Sequence, residues 1–255
     1  MGQWEVKEFI SVSVEVVMRL DKFISNMGLG TRSQVKKMIS RGRVVVNEEV
    51  IRKAGFIINP DNDEILLDEM IVAYDACVYI VMNKPVDVIS ATNDTRHETV
   101  IDLVKETYGN RKLFPVGRLD IDTEGMILIT DDGKWSHDLM LPKKHVKKKY
   151  FAHVAGVVTE KEIELFKSGV TLTDETLCQP GELEVISVED GLSKIYLTIT
   201  EGKFHQVKRM FDAVDMEVIY LKRIKIAGLA LDETIELGDY RELTEEEMEK
   251  IKLED

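Results

Sequence analysis

Between Leu20 and Ile39 the apolar residues keep two successive helical beats, and that pattern narrows what the start of this chain can fold into. Leu20, Phe23, Ile24 and Met27 fall at i, i+3, i+4 and i+7, one buried face of a helix. Gly28 and Gly30 stop that helix. Thr31 with Gln34 three residues on predicts a capping box, opening a second helix that buries Val35, Met38 and Ile39. Gly42 ends it, and Arg43-Val44-Val45-Val46 predicts a strand turning at Asn47. The outcome is a short helical hairpin followed by strands.

Charge adds a partner to this picture. The 255 residues carry 47 acids and 34 bases, a formal net charge of -13, which taken whole argues against a polyanionic ligand. The charges are segregated, however. Residues 18–57 hold nine bases against three acids, whereas residues 231–255 hold eleven acids against three bases. That asymmetry predicts a polyanion-binding face near the N-terminus and a solubilising acidic tail at 248–255. Arg32 and Lys36, at i and i+4, share one exposed face of the second helix.

Cys77 and Cys178 have neither the count of a disulfide framework nor the spacing of metal ligands. No apolar run approaches the roughly 18 residues of a membrane helix. Glu5, Glu8 and Glu15 leave no readable signal peptide, so the expected location is cytoplasmic, with no membrane partner. Residues 1–17 fit poorly with the helical hairpin after them and are read as an extension, Met18-Arg19-Leu20-Asp21 making the better start.

The stretch RLDKFISNMGLGTRSQVKKMISRGRVVVN resembles the alpha-L (S4-like) RNA-binding module of a small-subunit ribosomal protein and several RNA-modifying enzymes. The resemblance implies a small RNA-binding domain at 18–70, with Arg19, Arg32, Lys36, Arg41 and Arg43 on its RNA-binding side. Glu48 stands where that module usually has Gly after Asn, which predicts a different turn type. The polar stretch Asn59 to Asp63, with Pro60, reads as a turn within the module.

Around Asp68 to Ala76 the chain is expected to cross into a second domain, at 78–247. There, β-rich segments recur at Val78–Met82, Met126–Thr130, Tyr150–Val154 and Lys194–Thr200, with helical stretches at Thr99–Tyr108 and Thr159–Lys167. Strands with interspersed helices and no strict β-α-β beat predict an α+β domain with a mostly antiparallel mixed sheet.

The most unusual segment is Gly117-Arg118-Leu119-Asp120-Ile121-Asp122-Thr123-Glu124-Gly125, an acid-rich loop running into MILIT. Its acids fall partly at EF-hand spacing, but position twelve is Asp131 rather than Glu. Pro115 and Gly117 interrupt any entering helix and ILIT is strand-like, so no metal site is expected. Instead, GRLDIDTEGMILITDDG resembles the signature of the pseudouridine synthases, specifically those that modify ribosomal RNA and carry an N-terminal alpha-L module. In that family the Asp after Gly-Arg-Leu is the catalytic nucleophile, here Asp120. The reaction breaks the bond from ribose C1′ to uracil N1 and forms one to C5, with no redox step and no cofactor. A carboxylate nucleophile splits such a step in two, as retaining glycosidases do at an anomeric carbon.

Further segments match the same family in order. Asn83-Lys84-Pro85 follows an apolar strand, with Asp87 where Gly is usual, so that loop is expected to take a different shape. Pro142-Lys143-Lys144-His145-Val146-Lys147-Lys148-Lys149-Tyr150 joins five lysines to an aromatic ring. That composition suits a backbone-tracking groove, with Lys147, Lys148 and Lys149 contacting RNA. The family's active-site Tyr falls at Tyr150, packed on the target base. In Glu201-Gly202-Lys203-Phe204-His205-Gln206-Val207-Lys208-Arg209-Met210-Phe211, a turn leads into a helix burying Val207, Met210 and Phe211. Lys208 and Arg209 both project from it, and the family pairs one such base with the catalytic carboxylate to keep it ionised.

By the same resemblance Asn83, Lys84, Lys203, His205, Gln206 and Leu221 are expected to bind substrate, and Arg118 to enter the RNA stack in place of an extruded uridine. HQVKRMF is closer to the small-subunit (16S) enzymes than to the large-subunit ones, which usually have Arg before that Gln. The expected protein is a monomeric ribosomal RNA pseudouridine synthase acting on 16S RNA or a ribosomal assembly intermediate. The alternatives are a 23S enzyme and a non-catalytic RNA-binding assembly protein.

Overall fold

A computed structural model describes residues 17–72, 77–109 and 111–252. The extension expected at 1–17 lies outside these residues, save for Val17. The chain divides into two compact units, Met1–Ala76 and Cys77–Asp255.

In the first unit, β1 (Met18–Arg19) leads directly into α1 (Leu20–Asn26), and α2 (Arg32–Ser40) follows. The capping box forms as the sequence predicts. The Gln34 amide donates to the Thr31 hydroxyl at 3.3 Å, and the Thr31 amide donates to the Gln34 side chain at 2.8 Å. Strands β2 (Val44–Val46), β3 (Glu49–Ile51), β4 (Ile57–Ile58), β5 (Ile65–Leu67) and β6 (Met70–Ile71) complete the unit. Four of them form a sheet in the order β3-β2-β5-β6, while β4 pairs with β1. Leu20, Phe23 and Ile24 of α1 and Val35 and Ile39 of α2 are fully buried against Val44, Ile58 and Ile65.

The turn after β2 corrects one expectation. Asn47 (φ 47°) and Glu48 (φ 70°) both adopt positive φ, as a type I′ hairpin turn requires, so Glu takes the conformation Gly would have taken. Asn47 holds it there: its side chain donates to Asp63 at 2.7 Å and accepts from the Glu64 amide at 2.9 Å. Local strain in one residue is tolerated where neighbouring contacts over-determine it.

In the second unit, β7 (Tyr79–Lys84), α3 (Val100–Tyr108), β8 (Phe114–Val116), β9 (Glu124–Thr130) and α4 (Gly133–Met140) come first. They are followed by β10 (Lys148–Ala155), α5 (Glu160–Ser168), β11 (Glu182–Glu189) and β12 (Leu192–Ile199). Next are α6 (Gln206–Asp212), β13 (Glu217–Ile226), β14 (Leu229–Ala230), β15 (Tyr240–Glu242) and α7 (Glu245–Lys252). Among the described residues the strands form one sheet, ordered β11-β12-β10-β13-β9-β7-β15, with β8 added to β9 and β14 to β13. Every pairing is antiparallel except that of β9 with β13. The fold is therefore α+β, with a mostly antiparallel mixed sheet.

The run from Met126 to Ile129 is continuously apolar because β9 is buried on both faces. Ile127 and Ile129 face the cluster that contains Val104, Phe166 and Phe211 of α3, α5 and α6. Met126 and Leu128 face the opposite cluster, with Leu139 of α4 and Ile251 of α7. This second contact corrects the expected acidic tail at 248–255. As far as Lys252, those residues belong to α7, which buries Ile251, pairs Glu247 with Arg241 at 2.7 Å and leaves Glu245, Glu246 and Glu249 exposed. Residues 253–255 lie outside the described residues.

Candidate active site

Asp120 sits on the loop between β8 and β9, and that loop is held from beneath by backbone contacts. Gly117 enters it at a φ of 73°. The Leu119 amide donates to the Ser90 hydroxyl, and the hydroxyl donates to the Leu119 carbonyl, both at 2.9 Å. The Thr123 amide closes a turn on the Asp120 carbonyl at 3.1 Å. At the far end, Gly125 (φ 101°) faces Arg223 across the parallel β9–β13 contact. A Cβ there would lie 2.3 Å from the Arg223 carbonyl oxygen, so only glycine lets the two strands meet.

Two buried cations tie the loop down. The Lys84 ammonium donates to the carbonyls of Pro85 (2.8 Å) and Thr123 (2.9 Å), with Ile121 at 3.4 Å. Burial lowers its pKa to about 8. The Arg223 Nε donates to the Met126 carbonyl at 2.8 Å, and its Nη1 reaches the Arg118 carbonyl at 3.5 Å. Asp87 adds a further tie through its amide, 2.9 Å from the Ile121 carbonyl, at a φ of 65°. Like Glu48, it adopts the backbone expected of glycine, so the loop keeps the shape that glycine would allow.

Above the loop, α6 supplies the charge partner. The Lys208 Nζ lies 3.4 Å from Asp120 Oδ2 and 2.5 Å from Asp122 Oδ1. Burial raises the pKa of Asp122, but the Lys208 hydrogen bond and charge outweigh it and hold the carboxyl below its usual range. Arg209 faces elsewhere: its guanidinium meets Asp174 at 2.5 Å and the Phe204 carbonyl at 3.3 Å. Of the two candidates, Lys208 is the one beside Asp120. The His205 Nε2 is 3.6 Å from Asp120 Oδ1, on a residue at φ 47° that begins α6. Its ring stacks on Phe204 at 3.7 Å, and Phe204 is 68% exposed.

Asp120 opens into a cleft of about 450 Å³ whose lining includes Arg118, Thr123, Lys148, Tyr150, Leu221 and Arg223, with Lys203, His205 and Gln206 on its α6 side. Tyr150 is buried in β10, opposite Arg223, so its ring belongs at once to the core and to the wall of the cleft.

Several expected contacts are placed differently. Asn83 and Lys84 lie outside the lining; Asn83 is buried and donates to the Ile235 carbonyl at 2.7 Å. Both side chains are spent on backbone carbonyls, Asn83 on Ile235 and Lys84 on Pro85 and Thr123. Gln206 spends its amide inside the protein, donating to Glu201 at 2.6 Å and accepting from the Lys203 amide at 2.8 Å. The Lys203 ammonium is paired with Glu201.

The three lysines before Tyr150 do not form one basic stripe, because a strand turns alternate residues to opposite faces. Lys147 is exposed and Lys148 is buried on the cleft side. Lys149 lies 4.4 Å over the Tyr196 ring and pairs with Glu184 at 3.2 Å. In the first unit Arg19, Lys22, Arg32 and Lys36 line a shallow pocket together with Asp21. Arg41 is exposed, Arg19 is bonded to Asp21 at 2.8 Å, and Arg43 is engaged by Asp68.

Arg223 and Thr123 are lining residues that sequence reasoning did not single out as site residues. One signal for Arg223 was present: an arginine two residues after Leu221, sharing the face of the strand that buries Leu221.

Comparison with known proteins agrees with this geometry. The RNA pseudouridylate synthase family matches residues 78–213, and the S4 domain family matches residues 18–65. The chain belongs to the RNA pseudouridine synthases, in the form that joins an S4 domain to the catalytic domain. It is 42% identical over 231 residues to an uncharacterized RNA pseudouridine synthase, YtzG, of Bacillus subtilis, covering 91% of this chain and 97% of that one. It is 39% identical over 235 residues to the ribosomal small subunit pseudouridine synthase A of Escherichia coli, covering 92% of this chain and 100% of that one. A crystal structure of a pseudouridylate synthase superimposes with a TM-score of 0.64 at 38% identity, covering 92% of this chain and 99% of the other.

Proposed function

We propose that this enzyme converts a specific uridine of small-subunit ribosomal RNA to pseudouridine, with Asp120 as the nucleophile. The observation that carries this reading is the Asp120 carboxylate at the cleft, with Lys208 at 3.4 Å and the Tyr150 ring in the wall. Likeness to the E. coli small-subunit enzyme along nearly the whole chain supports the choice of RNA.

In the reaction as we read it, an extruded uridine enters the cleft base first, and the exposed Arg118 fills its place in the stack. The Asp120 carboxylate attacks ribose C1′ while Lys208 holds it in place. Tyr150 packs on the uracil, which detaches, turns and rejoins through C5. The first unit grips the RNA electrostatically, a role that suits the cations of its shallow pocket.

Pseudouridine mapping on ribosomal RNA incubated with the purified protein tests the reading, and one new site in small-subunit RNA is the expected result. A site in large-subunit RNA overturns the substrate. Failure to modify either free RNA or assembly intermediates overturns the activity.

A second expectation concerns the RNA-binding module. Charge removal at Arg32 and Lys36 lowers the slope of log K against log salt by close to 0.9 per lost phosphate contact. The same change at Arg43 has less effect, because Asp68 already neutralises it. Filter binding across a salt series checks this; equal slopes in all variants would remove the module from RNA binding.

A further inference from the structure

Lys148 and Arg223 are the least expected residues in the cleft. Both line it, and both are nearly excluded from solvent, at 7% and 2% exposure. Neither has a carboxylate partner among the described residues. The Lys148 ammonium donates to the Val146 carbonyl at 2.8 Å. Arg223 uses Nε on the Met126 carbonyl of β9 and Nη1 on the Arg118 carbonyl of the loop, and its buried Nη2 has no partner among the described residues. The Thr123 hydroxyl, also in the lining, is buried without one. The nearby Glu201 is already occupied by Lys203 and Gln206. Burial, and then repulsion from Arg223, bring the Lys148 pKa down to about 8. Two like charges out of water without a counterion are costly, and such groups persist where a ligand uses them.

The RNA chain decides which part of the substrate reaches them. Phosphates stay with the backbone outside, whereas an extruded base enters the cleft. With C1′ at Asp120, whose side chain keeps 26% exposure, the base is what extends past it to the buried cations. We propose that Lys148 and Arg223 form a donor pair that reads the carbonyl edge of the target uracil and holds the negative charge of the detached base. This rests on the function proposed above.

The electron count fits. As an Asp120 oxygen bonds to C1′, the C1′–N1 bond breaks and its electron pair stays on the base, giving a uracil anion with charge on O2 and O4. C5 then attacks C1′ and the aspartyl bond breaks, returning the carboxylate. The C5 proton leaves and N1 gains one, so no oxidant or co-reactant is needed. The same pair discriminates between pyrimidines: cytosine carries an amino donor where uracil has O4, and donors facing donors leave buried groups unpaired.

The test is Lys148→Met, made in the full chain and assayed on the ribosomal RNA that the wild type modifies. Absence of wild-type activity on every ribosomal RNA would defeat the proposed function itself, not this inference alone. The variant is expected to melt no lower than wild type, because an apolar side chain of similar length replaces an uncompensated buried charge. RNA affinity stays within about twofold, while the single-turnover rate falls about 100-fold, the scale of losing one preorganised donor. Lys148→Arg recovers part of that loss.

RNA carrying 2-thiouridine or 4-thiouridine at the target supplies the second readout. Sulfur accepts hydrogen bonds poorly, so at least one of the two slows wild type about tenfold yet leaves Lys148→Met nearly unaffected, as coupled groups do. A variant within threefold of the wild-type rate overturns the proposal. So does a variant that melts lower than wild type, or one slowed by both thio-substitutions as much as wild type is.

Discussion

Asp120→Asn should leave a folded protein that binds ribosomal RNA as tightly as wild type and forms pseudouridine at least about 10⁴-fold more slowly, the scale of removing a covalent nucleophile. The amide is nearly isosteric but cannot supply the attacking oxygen at useful rate. Folding is spared because the loop is held through its backbone. Ser90 and Lys84 bind the loop carbonyls of Leu119 and Thr123, Arg223 binds the Met126 carbonyl where β9 follows, and none of these contacts passes through the Asp120 carboxylate. Nucleoside analysis of treated RNA, beside a melting curve and a binding isotherm, separates the effects. A folded Asn variant with normal turnover would remove Asp120 from the mechanism.

Lys208→Met is expected to cost about 100-fold in single-turnover rate, comparable to losing a charged group that acts on a reacting atom. Arg209→Met, one residue away, should cost less than about threefold, since surface substitutions away from the chemistry act weakly. The contrast follows from where the two heads go. Lys208 bridges Asp120 and Asp122, whereas Arg209 fastens Asp174 and the Phe204 carbonyl. Equal losses in the two variants, with equal melting temperatures, would mean that the ammonium beside Asp120 is not what matters.

That pair also marks how far sequence can go. Val207, Met210 and Phe211 lie on the buried face of α6, as their spacing predicts. Adjacent helical residues point about 100° apart. Which of Lys208 and Arg209 meets the loop therefore depends on how α6 rolls against the sheet. Arg209 has its own partner in Asp174, 35 residues away in sequence. Neither fact is local, so the motif alone left both open.

The lysines before Tyr150 follow the same logic. Their composition reads as a basic groove, yet Lys148 begins β10 and the alternation of the strand sends Lys148 and Lys149 to opposite faces. Asn83 and Lys84 match a family motif, but their neighbours in space are the carbonyls of Ile235 and Thr123. Glu48 and Asp87 depart from glycine without changing the backbone, because hydrogen bonds from elsewhere hold the positive φ.

What the sequence by itself determined are the properties carried by nearest neighbours and short periods. These include the helical hairpin, the Thr31 capping box, the α+β character of the second unit and the order of motifs that places Asp120 on a loop before an apolar strand. Only the tertiary structure decided which cation faces Asp120, that the last acidic segment packs Ile251 beneath the sheet, and that Lys148 and Arg223 share the cleft without a carboxylate partner among the described residues. The reason is physical. Periodicity and capping are settled within a few residues of chain, whereas burial and charge pairing depend on groups that meet only after strands distant in sequence have aligned.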